Sequence, residues 1–239
     1  MTEETQESPA EERTKIWDRR ADMAIVILLG AASFLAVWAG YQAGQWGTLK
    51  TRTAVMVDDL QLSASRSLIL GYQDRQVDIA LFMAWLEAYK GENATLADFY
   101  EARFVDRFRP AFDTWLASDP FDNPDAPLDP FRMPEYSVPA LEAAHASETL
   151  AGEFADLGNW FEAQADAYVY LTVLLAVVLF FGGIATKISW HLAQAALLVV
   201  AWVLFGYCVI HTFDLPNASE TYLPVAGVQA LEARATPVP

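Results

Sequence analysis

Three long stretches of the chain carry no charged residue, and their lengths set the first expectation about the fold. They extend over residues 23–49, 167–186 and 188–213. Each holds at least the ~20 residues that a helix needs to cross the ~30 Å apolar core of a bilayer. We therefore predict transmembrane helices at residues 21–48, 167–186 and 188–212. A cleaved signal peptide is the alternative for the first stretch, but its apolar segment exceeds the ~7–15 residues usual there, which favours an uncleaved anchor.

Apolar residues between the first two spans recur at helical spacing. One buried helix face is predicted from Ile79, Phe82, Met83, Leu86 and Tyr89, and another stripe, Leu150, Phe154, Leu157 and Phe161, runs into the second span. Only Gly71 interrupts the stretch from Lys50 to Lys90. We therefore expect two long antiparallel helices that cross the membrane and continue beyond it. The predicted fold class is an all-α integral membrane protein, with three transmembrane helices and a helical extracytoplasmic domain inserted between spans one and two.

Shorter elements are expected inside this insertion. Thr95, with Asp98 three residues later, is typical of a helix N-cap. Four side chains follow at four-residue intervals, Phe104, Phe108, Phe112 and Leu116, and Pro110 is expected to break that helix. The proline-rich segment 118–139 cannot continue a helix, and we expect the phenylalanines of its two Asp-Pro-Phe repeats to hold the loop against the helices.

Basic residues predict the orientation in the membrane. Four of them, Arg13, Lys15, Arg19 and Arg20, precede the first span, and Lys187 alone separates the second from the third. The positive-inside rule places both groups in the cytoplasm. Residues 1–20 then form a cytoplasmic tail, residues 49–166 an extracytoplasmic domain and residues 213–239 an extracytoplasmic tail. The expected location is the cell inner (plasma) membrane.

Charge and composition narrow the classes of function. The net charge is −16, and the segment from Lys50 to Asp166 has 21 acidic and 9 basic residues. An acidic surface argues against nucleic-acid binding, which requires basic patches. Cys208 is the only cysteine, so an intramolecular disulfide is excluded. No catalytic motif is recognisable, and we expect neither enzymatic activity nor a cofactor.

Small residues follow one face of the first span. Ala32, Ala36, Gly40 and Gly44 lie four apart, and the last two complete a Gly-x-x-x-Gly pattern that permits close helix approach. We interpret the stripe as a helix-packing interface, either within the chain or between copies.

Polar residues mark the end of the same span. Tyr41, with two neighbouring tryptophans, is typical of an aromatic belt. Gln42 and Gln45 point about 60° apart on a helix, so one can pack while the other faces water. The favoured interpretation is that both reach water at the membrane boundary, and the alternative is a polar entrance or a headgroup site.

A short motif in this region resembles a known family. Residues Trp38 to Ala43, with the sequence WAGYQA, are similar to the Trp-x-x-Tyr-Gln-Ala signature of small bacterial three-span membrane proteins with a domain of unknown function. The lysine expected after that alanine is Gly44 here. The resemblance implies the three-span architecture and no activity.

One loop offers oxygen ligands for a cation. Asp119, Asp122, Asn123, Asp125 and Asp129 supply the groups that calcium prefers, but their spacing matches no calcium-loop pattern. A solvated acidic loop is the favoured interpretation.

Three functions remain. The leading hypothesis is a non-enzymatic membrane scaffold or interaction protein that self-associates through span one and displays an acidic helical domain. Its partners would be membrane lipid, further copies of itself and an unknown protein. The alternative is an oligomeric ion channel or transporter subunit with an acidic extracytoplasmic mouth. An enzyme using the aspartates of the 118–139 loop comes last.

Overall fold

The computed structural model describes residues 9–188 and 190–218, and every regular element in those ranges is helical. The elements are α1 (Pro9–Lys90), α2 (Ala94–Glu101), α3 (Arg109–Ala117), a 3-10 turn (Pro130–Arg132), α4 (Pro139–Ala185) and α5 (His191–Asp214). For this part of the chain the predicted all-α class is confirmed.

Three helices, α1, α4 and α5, are long and apolar enough to cross a membrane, as the charge-free runs predicted. The first two extend well beyond the predicted spans. α1 has 82 residues, about four times the ~20 that a helix needs to cross a bilayer core. Gly71 does not interrupt it.

The described residues divide into two compact units. The first, here called the three-helix unit, comprises α1 up to Ala54, α4 from Ala155 and α5 with the segment after it. The second, here called the aromatic unit, is Val55–Phe154.

In the three-helix unit, α1 and α4 pack antiparallel. Gly182 of α4 lies over Leu29, whereas Gly158 lies over Thr53. The buried side of α1 is a row spaced by three, four or seven residues, namely Ile25, Leu28, Ala32, Ala39, Gln42, Trp46 and Thr53. α4 contributes Phe161, Tyr168, Leu175 and Gly182, each seven residues apart, and all are buried. Seven-residue spacing of buried positions is typical of knobs-into-holes packing between long helices.

The aromatic unit has a core made mostly of rings. Its buried members are Phe82, Trp85, Ala88, Ala97, Phe104, Phe108, Phe112 and Trp115. The rings of Trp85 and Phe112 meet edge to face with centroids 4.7 Å apart. Such pairs contribute about 0.5–1.5 kcal/mol beyond the burial of their area.

The loop phenylalanines behave as expected. Phe121 stacks on Tyr89 with a centroid separation of 5.0 Å, and Phe131 stacks on Phe108 at 5.1 Å. Both are partly buried against the aromatic core. The proline-rich segment is thus fixed by a ring from each Asp-Pro-Phe repeat.

The helix boundaries differ from expectation at α2. Its N-cap is Asn93, whose side-chain oxygen accepts a hydrogen bond from the Leu96 N–H at 3.2 Å, and Thr95 already lies inside the helix. Asparagine suits this position as well as threonine does. Pro110 lies in the first turn of α3, where its missing N–H costs nothing. The helix expected through Phe104 and Phe108 does not form, because residues 102–108 are non-helical and α3 begins at Arg109.

The helix face predicted to be buried at residues 79–89 is the wrong one. Of its five members only Phe82 is buried, and Ile79, Met83 and Tyr89 are exposed. The core is instead formed by the face carrying Phe82 and Trp85. Two apolar faces exist on this part of α1, and spacing alone does not tell which one packs within the chain.

Candidate functional site

The candidate site lies where the first span ends, and Gln42 is its centre. Gln42 follows Ala39 by three residues and precedes Trp46 by four, so it lies on the buried side of α1. Its amide nitrogen donates to Oδ1 of Asn217 and its oxygen accepts from the backbone N–H of Ala218, both at 3.0 Å. The side chain is fully buried and both ends of its amide are hydrogen-bonded.

A second contact holds the same segment from α4. The hydroxyl of Tyr168 donates to the backbone oxygen of Pro216 at 3.3 Å. The segment after α5, residues 216–218, is therefore bonded to both α1 and α4. Polar groups at an apolar boundary need such internal partners, because lipid offers none.

The next turn of α1 carries Trp46. It is fully buried against Trp160 and Phe161, with ring centroids 5.3 and 5.8 Å away. Its Nε1 is buried without a hydrogen-bond partner among the described residues. One turn further on, Lys50 forms an ion pair with Glu162, and both side chains are partly exposed. Along α1 the site therefore changes from the buried amide of Gln42 to the surface ion pair of Lys50 and Glu162.

The stripe of small residues is divided between two environments. Ala32 is fully buried and Ala36 is partly buried, whereas Gly40 and Gly44 are exposed. A Cβ added at either glycine would meet nothing within 4 Å. A four-residue step turns ~400°, so a stripe with this spacing rotates by ~40° per step and by about 120° from Ala32 to Gly44. The stripe consequently leaves the packed side of α1 and ends on its open side.

The two glutamines have different environments. Gln45 is exposed, as is Tyr41 with an exposed fraction of 51%. The expectation that Gln42 reaches water is wrong, because its place in the buried row of α1 directs it at the segment after α5. The spacing of three and four to Ala39 and Trp46 was the available signal for this burial.

A second polar cluster lies in the aromatic unit and was not predicted from the sequence. Asp78 has a fully buried side chain and accepts from Arg107 through both carboxylate oxygens, at 3.0 Å each. The hydroxyl of Tyr136 donates to the same carboxylate at 3.1 Å. Burial, followed by the charge and hydrogen bond of Asp78, raises the pKa of Tyr136. These contacts join α1 to residues 107 and 136 and so serve the fold.

In the acidic loop, polar side chains contact residues a few positions away in the sequence. Asp129 pairs with Arg132 at 3.3 Å, and the side-chain oxygen of Asn123 accepts from the N–H of Asp125 at 3.0 Å. Asp122 and Asp125 are exposed, and Asp119 has a positive φ of 55° within a turn. Within the described ranges no three His, Cys, Asp or Glu side chains are grouped to hold a metal ion.

Comparison with known proteins adds no relative. No family model matches the chain, and neither a curated protein nor a solved structure is significantly similar to it.

Proposed function

We propose that this protein is a non-enzymatic multi-pass membrane scaffold that self-associates through α1 and displays its aromatic unit on the extracytoplasmic side. The observation that carries the proposal is the open face at Gly40 and Gly44. Ala32 is already covered within the chain, so the contact between copies involves the two glycines and the side chains around them.

The two glycines have no role in packing within the described chain. A glycine inside a helix is ~0.8–1 kcal/mol less favourable than alanine. No neighbouring atom lies close enough to Gly40 or Gly44 to exclude a Cβ there. By contrast, Gly158 of α4 accommodates Thr53. Exposed Val37 and Tyr41 border the open face, with exposed fractions of 74% and 51%. A second helix approaching there gains backbone contact at the glycines and side-chain contact at their borders.

The environment of Gln42 favours a scaffold over a channel. A pore mouth was expected to use Gln42 and Gln45, but Gln42 is buried and hydrogen-bonded inside the chain at both ends of its amide. The exposed side chains of the spans near it, such as Phe34, Val37 and Val173, are apolar and suit lipid or another helix.

The aromatic unit is suited to display. Between Val55 and Phe154 the sequence has 18 acidic and 7 basic residues. Its core is a set of packed rings with loops fixed on it, and the acidic side chains form a soluble surface around that core. A partner for this surface would carry basic groups.

The subunit number of the full chain in a mild detergent tests the proposal. We expect native mass spectrometry to show dimers or higher oligomers of the wild type. Gly40→Leu and Gly44→Leu should each lower the association constant at least about tenfold, which corresponds to a loss of ~1.4 kcal/mol in the free energy of association.

Gly206→Leu is the matched control. Gly206 lies in α5 and is partly buried, but like the two glycines of α1 it has nothing within 4 Å of an added Cβ, so the same change there should leave the oligomer intact. If Gly40→Leu and Gly44→Leu behave like Gly206→Leu, self-association through this face of α1 is excluded.

A further inference from the structure

The aromatic unit carries an exposed apolar row on α1, here called the outer seam. Its apolar members are Leu62, Ile69, Tyr72, Ile79, Met83 and Leu86, and Ser65 and Gln76 complete the pattern. These eight positions alternate by three and four residues over more than three heptads, which is the spacing of a coiled-coil interface. Seven of the eight are exposed, and Leu86 is partly buried.

From Leu62 to Met83 the outer seam faces away from the aromatic core. Gly71, Asp78 and Trp85 are among the buried positions of the same helix, as is Phe82. Ile69 and Gln76 each precede one of these by two residues, which is ~200° around the helix. Exposed fractions of 51% for Leu62, 60% for Ile69 and 55% for Met83 show that the described chain leaves this part of the seam uncovered, whereas Leu86 at its end packs against the aromatic core.

We propose that the outer seam binds the same seam of a second copy, forming a parallel two-stranded coiled coil beyond the membrane. This inference rests on the proposed function and names the part of α1 that joins two copies outside the lipid. Copies inserted in one membrane share one orientation, so their α1 helices are parallel and each seam position meets its own counterpart.

Charge supports a second copy rather than an unlike partner. No seam position from Leu62 to Leu86 is charged, although the unit as a whole is strongly acidic. Two acidic units can therefore meet along this row without opposing like charges. The heptad positions immediately beyond it are charged, Asp58 at one end and Lys90 at the other, and they limit the contact. Gln76 lies at a single interface position, where a polar residue fixes the register of a coiled coil.

The area is sufficient for an anchored pair. Five seam side chains are 39–60% exposed. At roughly 100 Å² each, the two copies would bury about 1,000 Å² in total, the lower limit for a specific interface. Anchoring in one membrane raises the effective concentration of the two helices, so a contact of this size is enough.

Disulfide cross-linking of the full chain in membrane vesicles tests the proposal. Single cysteines are placed at Ile69, Tyr72, Ile79 or Met83 in a Cys208→Ala background, and a mild oxidant is added. Matching interface positions of a parallel coiled coil are near the ~4.4–6.8 Å Cα separation that a disulfide requires. We expect cross-linked dimer at all four positions.

Leu70→Cys and Val77→Cys are the matched controls. Both positions are equally exposed, at 57% and 53%, but each lies ~100° around the helix from a seam position. Seam cysteines should cross-link at least about tenfold faster than these controls, because the rate follows the effective concentration of the paired thiols. Equal rates at seam and control positions, or no dimer at any seam position, would overturn the proposal.

The result separates this inference from the proposed function. If Gly40→Leu abolishes the oligomer while seam cysteines in the chain with intact glycines fail to cross-link, the coiled coil is wrong and association through the span stands. If seam cysteines cross-link and Gly40→Leu leaves the oligomer unchanged, the contact at the glycines is wrong and the coiled coil stands.

Discussion

At the scale of single residues, Gln42 connects the first span to the segment that follows the last one. Gln42→Leu removes both of its hydrogen bonds and leaves the backbone N–H of Ala218 without its acceptor. Each lost hydrogen bond costs ~0.5–1.5 kcal/mol, so we expect the free energy of unfolding to fall by ~1–3 kcal/mol. Chemical unfolding in detergent, followed by tryptophan fluorescence, measures it.

Gln45→Leu provides the comparison for this prediction. Gln45 is exposed on the same helix, and exposed substitutions usually change stability by no more than ~0.5 kcal/mol. Equal effects of the two leucine variants would contradict the role assigned to Gln42.

Asp78 shows what a single buried charge can do at the same scale. Its carboxylate holds Arg107 and Tyr136 on α1, and the rings of Phe108 and Tyr136 meet edge to face at 5.9 Å beside it. These contacts hold the segments around Arg107 and Tyr136 against α1 beside the aromatic core. Removing one partner of such a buried pair leaves an uncompensated charge inside the protein, which costs about 3–5 kcal/mol.

At the scale of elements, the approach of α1 to α4 depends on Gly158. A Cβ there would lie 2.8 Å from Oγ1 of Thr53, which itself donates to the backbone oxygen of Lys50. We expect Gly158→Ala to destabilise the three-helix unit by ~1–3 kcal/mol, because Thr53 must give up its rotamer or the helices must separate. Thermal unfolding in detergent checks the direction.

For Gly152 the same substitution is expected to have the opposite effect on stability. It lies in α4 with nothing near an added Cβ, so Gly152→Ala should stabilise the chain by about 0.5–1 kcal/mol through helix propensity alone. A stabilising Gly158→Ala would show that the helices do not need the close approach.

The sequence predicted the helices better than it predicted which helix faces pack against each other. Charge-free runs identified the three helices that are long and apolar enough to cross a membrane, and Pro110 marked the boundary before α3. Periodicity, however, reports only that a helix has an apolar face. Ile79 and Met83 lie on a real apolar row, yet Phe82 and Trp85 face the core, since the choice depends on the rings contributed by α2 and α3.

The candidate site was predictable to a similar degree. Gly40 and Gly44 were recognised from their spacing, and Gln42 was singled out as a polar residue at the span's end. Its partners Asn217 and Ala218 are 175 residues or more away in the sequence. No local pattern indicates such a contact, because it exists only once the three helices have assembled.

At the scale of the whole molecule, both proposals share one orientation in the membrane. The basic cluster before α1 and Lys187 between α4 and α5 would lie in the cytoplasm, and the acidic aromatic unit on the other side. That arrangement places the outer seam in an aqueous compartment, where lipid cannot cover it. Apolar rows exposed to water often mark protein interaction sites, which is the basis for the proposed pairing of the seam.

Labelling with a membrane-impermeant maleimide in intact bacterial cells tests this orientation. In a Cys208→Ala background, Asp125→Cys samples the aromatic unit and Lys187→Cys the turn between α4 and α5, and both positions are exposed. We expect Asp125→Cys to react in cells with a permeable outer envelope, and Lys187→Cys to react only after the inner membrane is opened. The reverse order would place the aromatic unit in the cytoplasm. If neither cysteine reacts until the inner membrane is opened, both the aromatic unit and the turn between α4 and α5 lie inside. The proposed display of an acidic surface would then be wrong.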